Sequence, residues 1–234
     1  MISVKEYKNL GKANHGWLNA NFHFSFGDYY DRSNMNFGQL RVVNDDLIDP
    51  HMGFDTHPHE NMEIITYVRE GAIAHKDNAG NKGTTKAGDV QVMSAGSGIY
   101  HSENNPTDEV TNLYQIWIIP NEKGVKPRWD QAKFPKSPVT DVLPLLVSGR
   151  DEDAGKGALF IHQDAAIYGG NLVKNTTIKH PIKHQAYLLV SNGEVEVDGK
   201  RISKGDAAAI TKQSNVTIKS LADSEILVID VPSR

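Results

Sequence analysis

Short runs of β-prone residues recur along the whole chain: QLRVVND, EIITYV, DVQVMS, LYQIWII, AYLLVS, EVEVDG and EILVIDV. Each is about 5–8 residues long, rich in Val, Ile, Tyr and Trp, and bounded by Gly, Asn, Asp or Pro, the pattern of buried strands separated by tight turns. Capped helical periods are scarce. Only PRWDQAKF, bounded by Pro127 and Pro135, is expected to form a turn or two of helix. These runs predict an all-β sandwich or barrel architecture.

The segment 120–138, PNEKGVKPRWDQAKFPKSP, interrupts that pattern with proline and charge and reads as an interdomain linker over the surface. It divides the chain into an expected first domain, residues 1–135, and a second, residues 136–234. The two halves resemble a diverged repeat. EIITYVREGAIAHKDNAGNKGTTKAGDVQVM and QAYLLVSNGEVEVDGKRISKGDAAAI both run strand, Gly, strand, turn, Gly-Asp, strand. The glycines involved are Gly71 and Gly88 in the first half, and Gly193 and Gly205 in the second.

Histidine is abundant at 10 residues and cysteine is absent. Without thiols there is no disulfide framework, zinc-thiolate site, iron–sulfur cluster or cysteine nucleophile, so transition-metal chemistry must run on imidazole and carboxylate. The formal charge of -4 argues against broad binding to a nucleic-acid backbone. The chain has no apolar stretch of membrane-spanning length and no signal-peptide core near its N-terminus, and a cytoplasmic location is expected.

Two clusters carry the functional signal. In GFDTHPHENMEIITYV, His57 and His59 share one face of an extended strand, with Glu63 further along, and Pro58 places the stretch at a strand start or edge. In SAGSGIYHSENN, His101 and Glu103 again stand two apart, after a bend made flexible by Gly96 and Gly98. Brought together, three neutral imidazoles and a carboxylate form a mixed N/O site. Such a site suits Fe(II), and also Ni, Co, Mn, Cu or Zn, better than Mg or Ca. His15, His23, His51 and His162 are isolated, and His75 is expected only to hydrogen-bond within the barrel. His180 and His184 stand four apart, but no His-x-Glu pair follows them, so no second metal site is expected. Phe54, Met93 and Ile99 are either pocket wall or plain core.

GFDTHPHENMEIITYVREG, AGDVQVMSAGSGIYHSE and LYQIWIIP together closely resemble the pirin family of the cupin superfamily, with the nearest likeness to bacterial members described as quercetin 2,3-dioxygenases. The resemblance covers roughly residues 15–130, and the rest mainly by domain plan. It implies a bicupin: two stacked antiparallel β-barrels of the jelly-roll type, with one metal in the N-terminal barrel and a degenerate C-terminal barrel. The ligands it implies are His57, His59, His101 and Glu103, with Glu103 also the catalytic base and Glu63 supporting from behind the ligands. General cupins use the carboxylate after the His-x-His pair, which is Glu63 here, so both acids stay in play. The implied activity is cleavage of a flavonol by O2 with release of carbon monoxide. The rival reading is a metal-binding, redox-responsive regulatory protein with a protein partner. A monomer is the family-like expectation.

Overall fold

The computed structural model describes residues 1–233 and is built almost wholly of strands. The chain divides into two compact units: residues 11–134 with 159–163, and residues 1–10 with 135–158 and 164–234. The boundary at 135/136 is thus crossed twice. Ile2–Lys5 pairs antiparallel with Ala207–Ile210, which carries the N-terminus into the C-terminal unit. Strand pairing is non-local, and nothing in ISVK names its partner.

In the N-terminal unit the larger sheet has seven strands. In spatial order they are Arg128–Ala132, Val90–Ser94, Glu63–Glu70, Thr111–Ile118, Leu40–Ile48, Leu18–Phe22 and Gly11–Asn14. The second sheet has four strands, Gly53–His59, Ile99–Asn104, Ala72–Asp77 and Lys82–Lys86. All the named pairings are antiparallel. The C-terminal unit repeats the two-sheet plan. Its larger sheet includes Ala207–Ile210, Gln185–Asn192, Ser224–Val231 and Ala166–Leu172, and its smaller one comprises Thr177–Pro181, Asn215–Ser220, Glu194–Val197 and Lys200–Ser203. Its core is aliphatic, with Leu188, Val190, Val195, Ile202, Ile218 and Val228 all fully buried. The fold is an all-β bicupin in which each unit is a jelly-roll-like pair of sheets and not a closed barrel.

The repeat holds at the level of backbone hydrogen bonds. Gly88 N–H donates to the Val68 carbonyl at 2.8 Å, and Gly205 N–H donates to the Val190 carbonyl at the same distance. Gly71 and Gly193 both have φ near +75° (74 and 78) and both crowd a neighbouring strand, Thr111 in one unit and Ser224 in the other. A side chain at either position meets both the left-handed backbone and that strand.

The expected helical turn in PRWDQAKF is corrected. Arg128–Ala132 is a strand in register with Val90–Ser94, Arg128 opposite Ser94 and Ala132 opposite Val90. The flanking prolines bound an edge strand here, a position that tolerates them. The supposed linker therefore extends the sheet and delivers Trp129 to the smaller sheet, where its ring stacks on His75 at 4.9 Å and 10°.

Candidate metal centre

The smaller sheet of the N-terminal unit assembles the site. Gly53–His59 and Ile99–Asn104 pair with His57 opposite His101, and a register shift between His101 and Glu103 sets Glu103 opposite Phe54. Alternation along each strand then sends His57, His59 and His101 the same way. Their ring centroids lie 4.5–4.9 Å apart, and one ring nitrogen from each falls within 4.8 Å of the other two. Glu103 is brought to the same cavity but groups by distance with His101 and His75.

Proton counting assigns the imidazole tautomers. His57 Nδ1 faces the Asp55 carbonyl oxygen at 2.7 Å, and a carbonyl only accepts, so His57 carries its proton on Nδ1 and its lone pair on Nε2. Asp77 is held below the usual carboxylate range: burial pushes it up, but hydrogen bonds from His75 and Asn81 outweigh that. The ionised Asp77 accepts from His75 Nε2–H at 3.0 Å. His75 is itself kept neutral by burial, so its Nδ1 accepts, and the donor is His101 Nδ1–H at 3.3 Å. The lone pair of His101 is thereby fixed on Nε2. That atom faces His57 Nε2 at 3.1 Å, so two lone pairs oppose each other with no proton between them.

Burial is the main cause that pushes His101 down to about 3 and lowers His59 to about 4, so neither ring takes up a proton near neutral pH. Convergent neutral imidazoles with free lone pairs are the donor set a divalent transition metal requires. On that chemistry the residues fit such an ion.

Glu103 is buried and accepts three hydrogen bonds. Gln115 Nε2 donates to Oε2 at 2.9 Å, and Gln91 Nε2 and Thr66 Oγ donate to Oε1. Burial raises its carboxyl to about 7 in spite of those three hydrogen bonds. Glu63 belongs to neither ligand group. It accepts from Ser94 Oγ at 2.7 Å beside the His162 backbone and Arg128, and burial lifts it to about 6.

The histidines open into a cavity of about 780 Å³ whose wall includes Trp17, Phe22, Phe26, Tyr29, Phe54 and Trp117. That volume suits a drug-sized aromatic ligand. Phe54 is pocket wall, whereas Met93 and Ile99 pack with Ile64 and Ala95 in the core. Of the histidines set aside in the sequence, His15 lines the cavity, His51 pairs with exposed Asp108, and His162 packs on Phe160. His184 binds Asp164, and His180 is buried edge-on to Tyr168. Among the described residues, no metal-ligating group forms around these two.

Paired jelly-roll units, one of them carrying converging histidines at the edge of an aromatic cavity, define a bicupin. A pirin model matches residues 3–118, and a model described as the quercetinase C-terminal cupin domain matches residues 145–231. The chain is 49% identical over 232 residues to a pirin-like protein of Caulobacter vibrioides, covering 98% of this chain and 99% of that one. It is 43% identical to the quercetin 2,3-dioxygenase of Escherichia coli K12, covering 99% of each. The crystal structure of the bacterial pirin YhhW from Escherichia coli in complex with nickel(II) superposes with a TM-score of 0.92 at 42% identity, over 100% of both chains. The chain belongs to the pirin family.

Proposed function

We propose that this protein is a metal-dependent dioxygenase that cleaves flavonols such as quercetin with O2. Both oxygen atoms enter the ring-opened ester and the carbon between the two cleaved bonds leaves as carbon monoxide. The observation that carries the reading is the convergence of His57, His59 and His101, with His57 Nε2 and His101 Nε2 3.1 Å apart, at the edge of an aromatic-walled cavity. In this reading His57, His59 and His101 hold the ion with Glu103 as the carboxylate, and the metal supplies Lewis acidity toward the enolic hydroxyl of the substrate. Fe(II) is the metal we favour, and Ni, Co, Mn, Cu and Zn share its taste for imidazole. A homologous pirin bound to nickel(II) supports a divalent ion.

The chain's own residues supply binding and proton transfer. The aromatic wall sandwiches a flat polycyclic substrate and keeps bulk water from it. Glu103, with a carboxyl raised to about 7, is poised to take the 3-hydroxyl proton near neutral pH, and Gln115, Gln91 and Thr66 keep its oxygens aimed. Glu63, buried against Ser94, supports the start of its strand behind the site. No helix among the described residues is long and apolar enough to cross a membrane.

The test is aerobic incubation of metal-loaded protein with quercetin. The reading expects O2 uptake with bleaching of the flavonol absorbance, both abolished by His101→Ala and by Glu103→Ala. Elemental analysis of protein from its native host identifies the ion. Metal-replete protein that leaves quercetin untouched favours the regulatory reading instead.

A further inference from the structure

A row of polar side chains in one cross-strand register reaches the cavity at Gln115 and Asn44. Gln91 stands opposite Thr66, Thr66 opposite Gln115, and Gln115 opposite Asn44. Gln91 donates to Thr66, and Gln91, Thr66 and Gln115 all donate to Glu103. Asn44 is the open end of the row. Asp46 follows two residues along the same strand and therefore on the same face, while Asp45 between them points the other way and pairs with Arg69 at 2.8 Å.

Asn44 and Asp46 both line the cavity and are only 3% and 2% exposed. The Oδ1 atom of each is buried without a hydrogen-bond partner. Burial, with the charges of Asp45 and Glu103 nearby, also pushes the Asp46 carboxyl well above the usual range. Native proteins rarely leave two adjacent buried polar side chains unsatisfied, because each unmade hydrogen bond costs about 1–3 kcal/mol. Two such groups, two residues apart on one strand in the wall of a largely apolar cavity, are what a ligand hydroxyl satisfies once a side chain turns toward it, by donating to an oxygen or accepting from the Asn44 amide.

We propose that Asn44 and Asp46 form a hydroxyl-recognition subsite that selects substrates carrying a phenolic hydroxyl in addition to the one that reacts. The inference rests on the flavonol reading above and names the substrate class within it: polyhydroxylated flavonols over those bearing the reactive hydroxyl alone. A site built to hydrogen-bond a hydroxyl rejects the analogue lacking it, because the site's own polar groups are left unpaired.

The experiment measures anaerobic binding of quercetin and of 3-hydroxyflavone by quenching of tryptophan fluorescence, since Trp17 and Trp117 line the same cavity. The wild type is expected to prefer quercetin by about ten-fold, the worth of one hydrogen bond to an otherwise unpaired buried group. Asn44→Leu with Asp46→Leu is expected to erase the preference, bringing the two affinities within about two-fold of each other. Asp46→Asn, which keeps a polar pair at the site, is expected to retain it and serves if the double variant fails to fold. Equal affinities in the wild type, or a preference that survives the double variant, overturn the subsite; so does an equal loss of both ligands, which marks a pair that only orders a buried water. Aerobic turnover is measured alongside. A preference that behaves as stated in a protein that cleaves neither flavonol refutes the dioxygenase reading and leaves the subsite standing, and cleavage without the preference does the reverse.

Discussion

His75 is the residue whose removal most sharply tests the tautomer assignment. It accepts the His101 Nδ1–H at 3.3 Å, and Asp77 holds it in the tautomer that can do so. In His75→Phe the ring is kept, so stacking on Trp129 persists, but the acceptor is gone. His101 is 2% exposed, and a buried N–H without a partner costs about 1–3 kcal/mol. Its proton has one escape: it moves to Nε2, where the His57 Nε2 lone pair 3.1 Å away accepts it. That new hydrogen bond occupies the two nitrogens a metal needs and must be broken on binding. At about 1–1.5 kcal/mol for such a bond, metal affinity falls by roughly ten-fold, within the range found when the hydrogen-bond partners of metal ligands are lost. The assay is competition of metal-free protein for Ni(II) or Co(II) against a coloured chelator, together with the ¹⁵N shifts of His101 in the metal-free state. Wild type should show Nδ1–H and the variant Nε2–H. A folded His75→Phe protein that binds metal as tightly as wild type, or a wild-type His101 protonated on Nε2, refutes the reasoning.

Other perturbations probe the frame around the site. Burial lowers His180 to about 4 from an ordinary 6.5, so the unfolded chain binds the extra proton first as pH falls. Its contribution is complete above about pH 6.5, is lost as pH falls toward 4, and amounts to about 3 kcal/mol at most. Denaturant melts at about pH 7.5 and about pH 5 should therefore show a smaller loss of stability in His180→Phe than in wild type. Gly96 has φ of +47°, and an added Cβ runs into the Val125 carbonyl. Gly96→Ala should lower stability by about 2 kcal/mol or more, read from the melting midpoint, and should loosen the bend that leads into His101. Glu103→Gln keeps the size of the side chain but cannot take a proton; it should turn quercetin over at least about 100-fold more slowly than wild type.

The parts of the site legible in the sequence were those fixed by local geometry. His-x-His and His-x-Glu share a face on any strand, so His57 with His59 and His101 with Glu103 could be paired before any fold was known. The Gly-Asp turns of the repeat were legible for the same reason, since each is a local backbone requirement. What the sequence concealed depends on register between distant strands. His75 and Asp77 read as an ordinary AIAHKD strand, and only their pairing with Glu103 and His101 turns them into the groups that fix a tautomer. Asn44 and Asp46 look like surface residues in VVNDDL until the neighbouring strands bury them. Arg128–Ala132 resembled a linker because its prolines and charges suit an edge strand as well as a loop.

The central claim is that the three converging imidazoles serve O2-dependent flavonol cleavage, and carbon monoxide in the headspace tests it most directly. Metal-loaded protein given quercetin in air should release one carbon monoxide for each O2 consumed, and His101→Ala should release none. Stoichiometric metal bound through the histidines, with quercetin intact or oxidised without carbon monoxide, would contradict it.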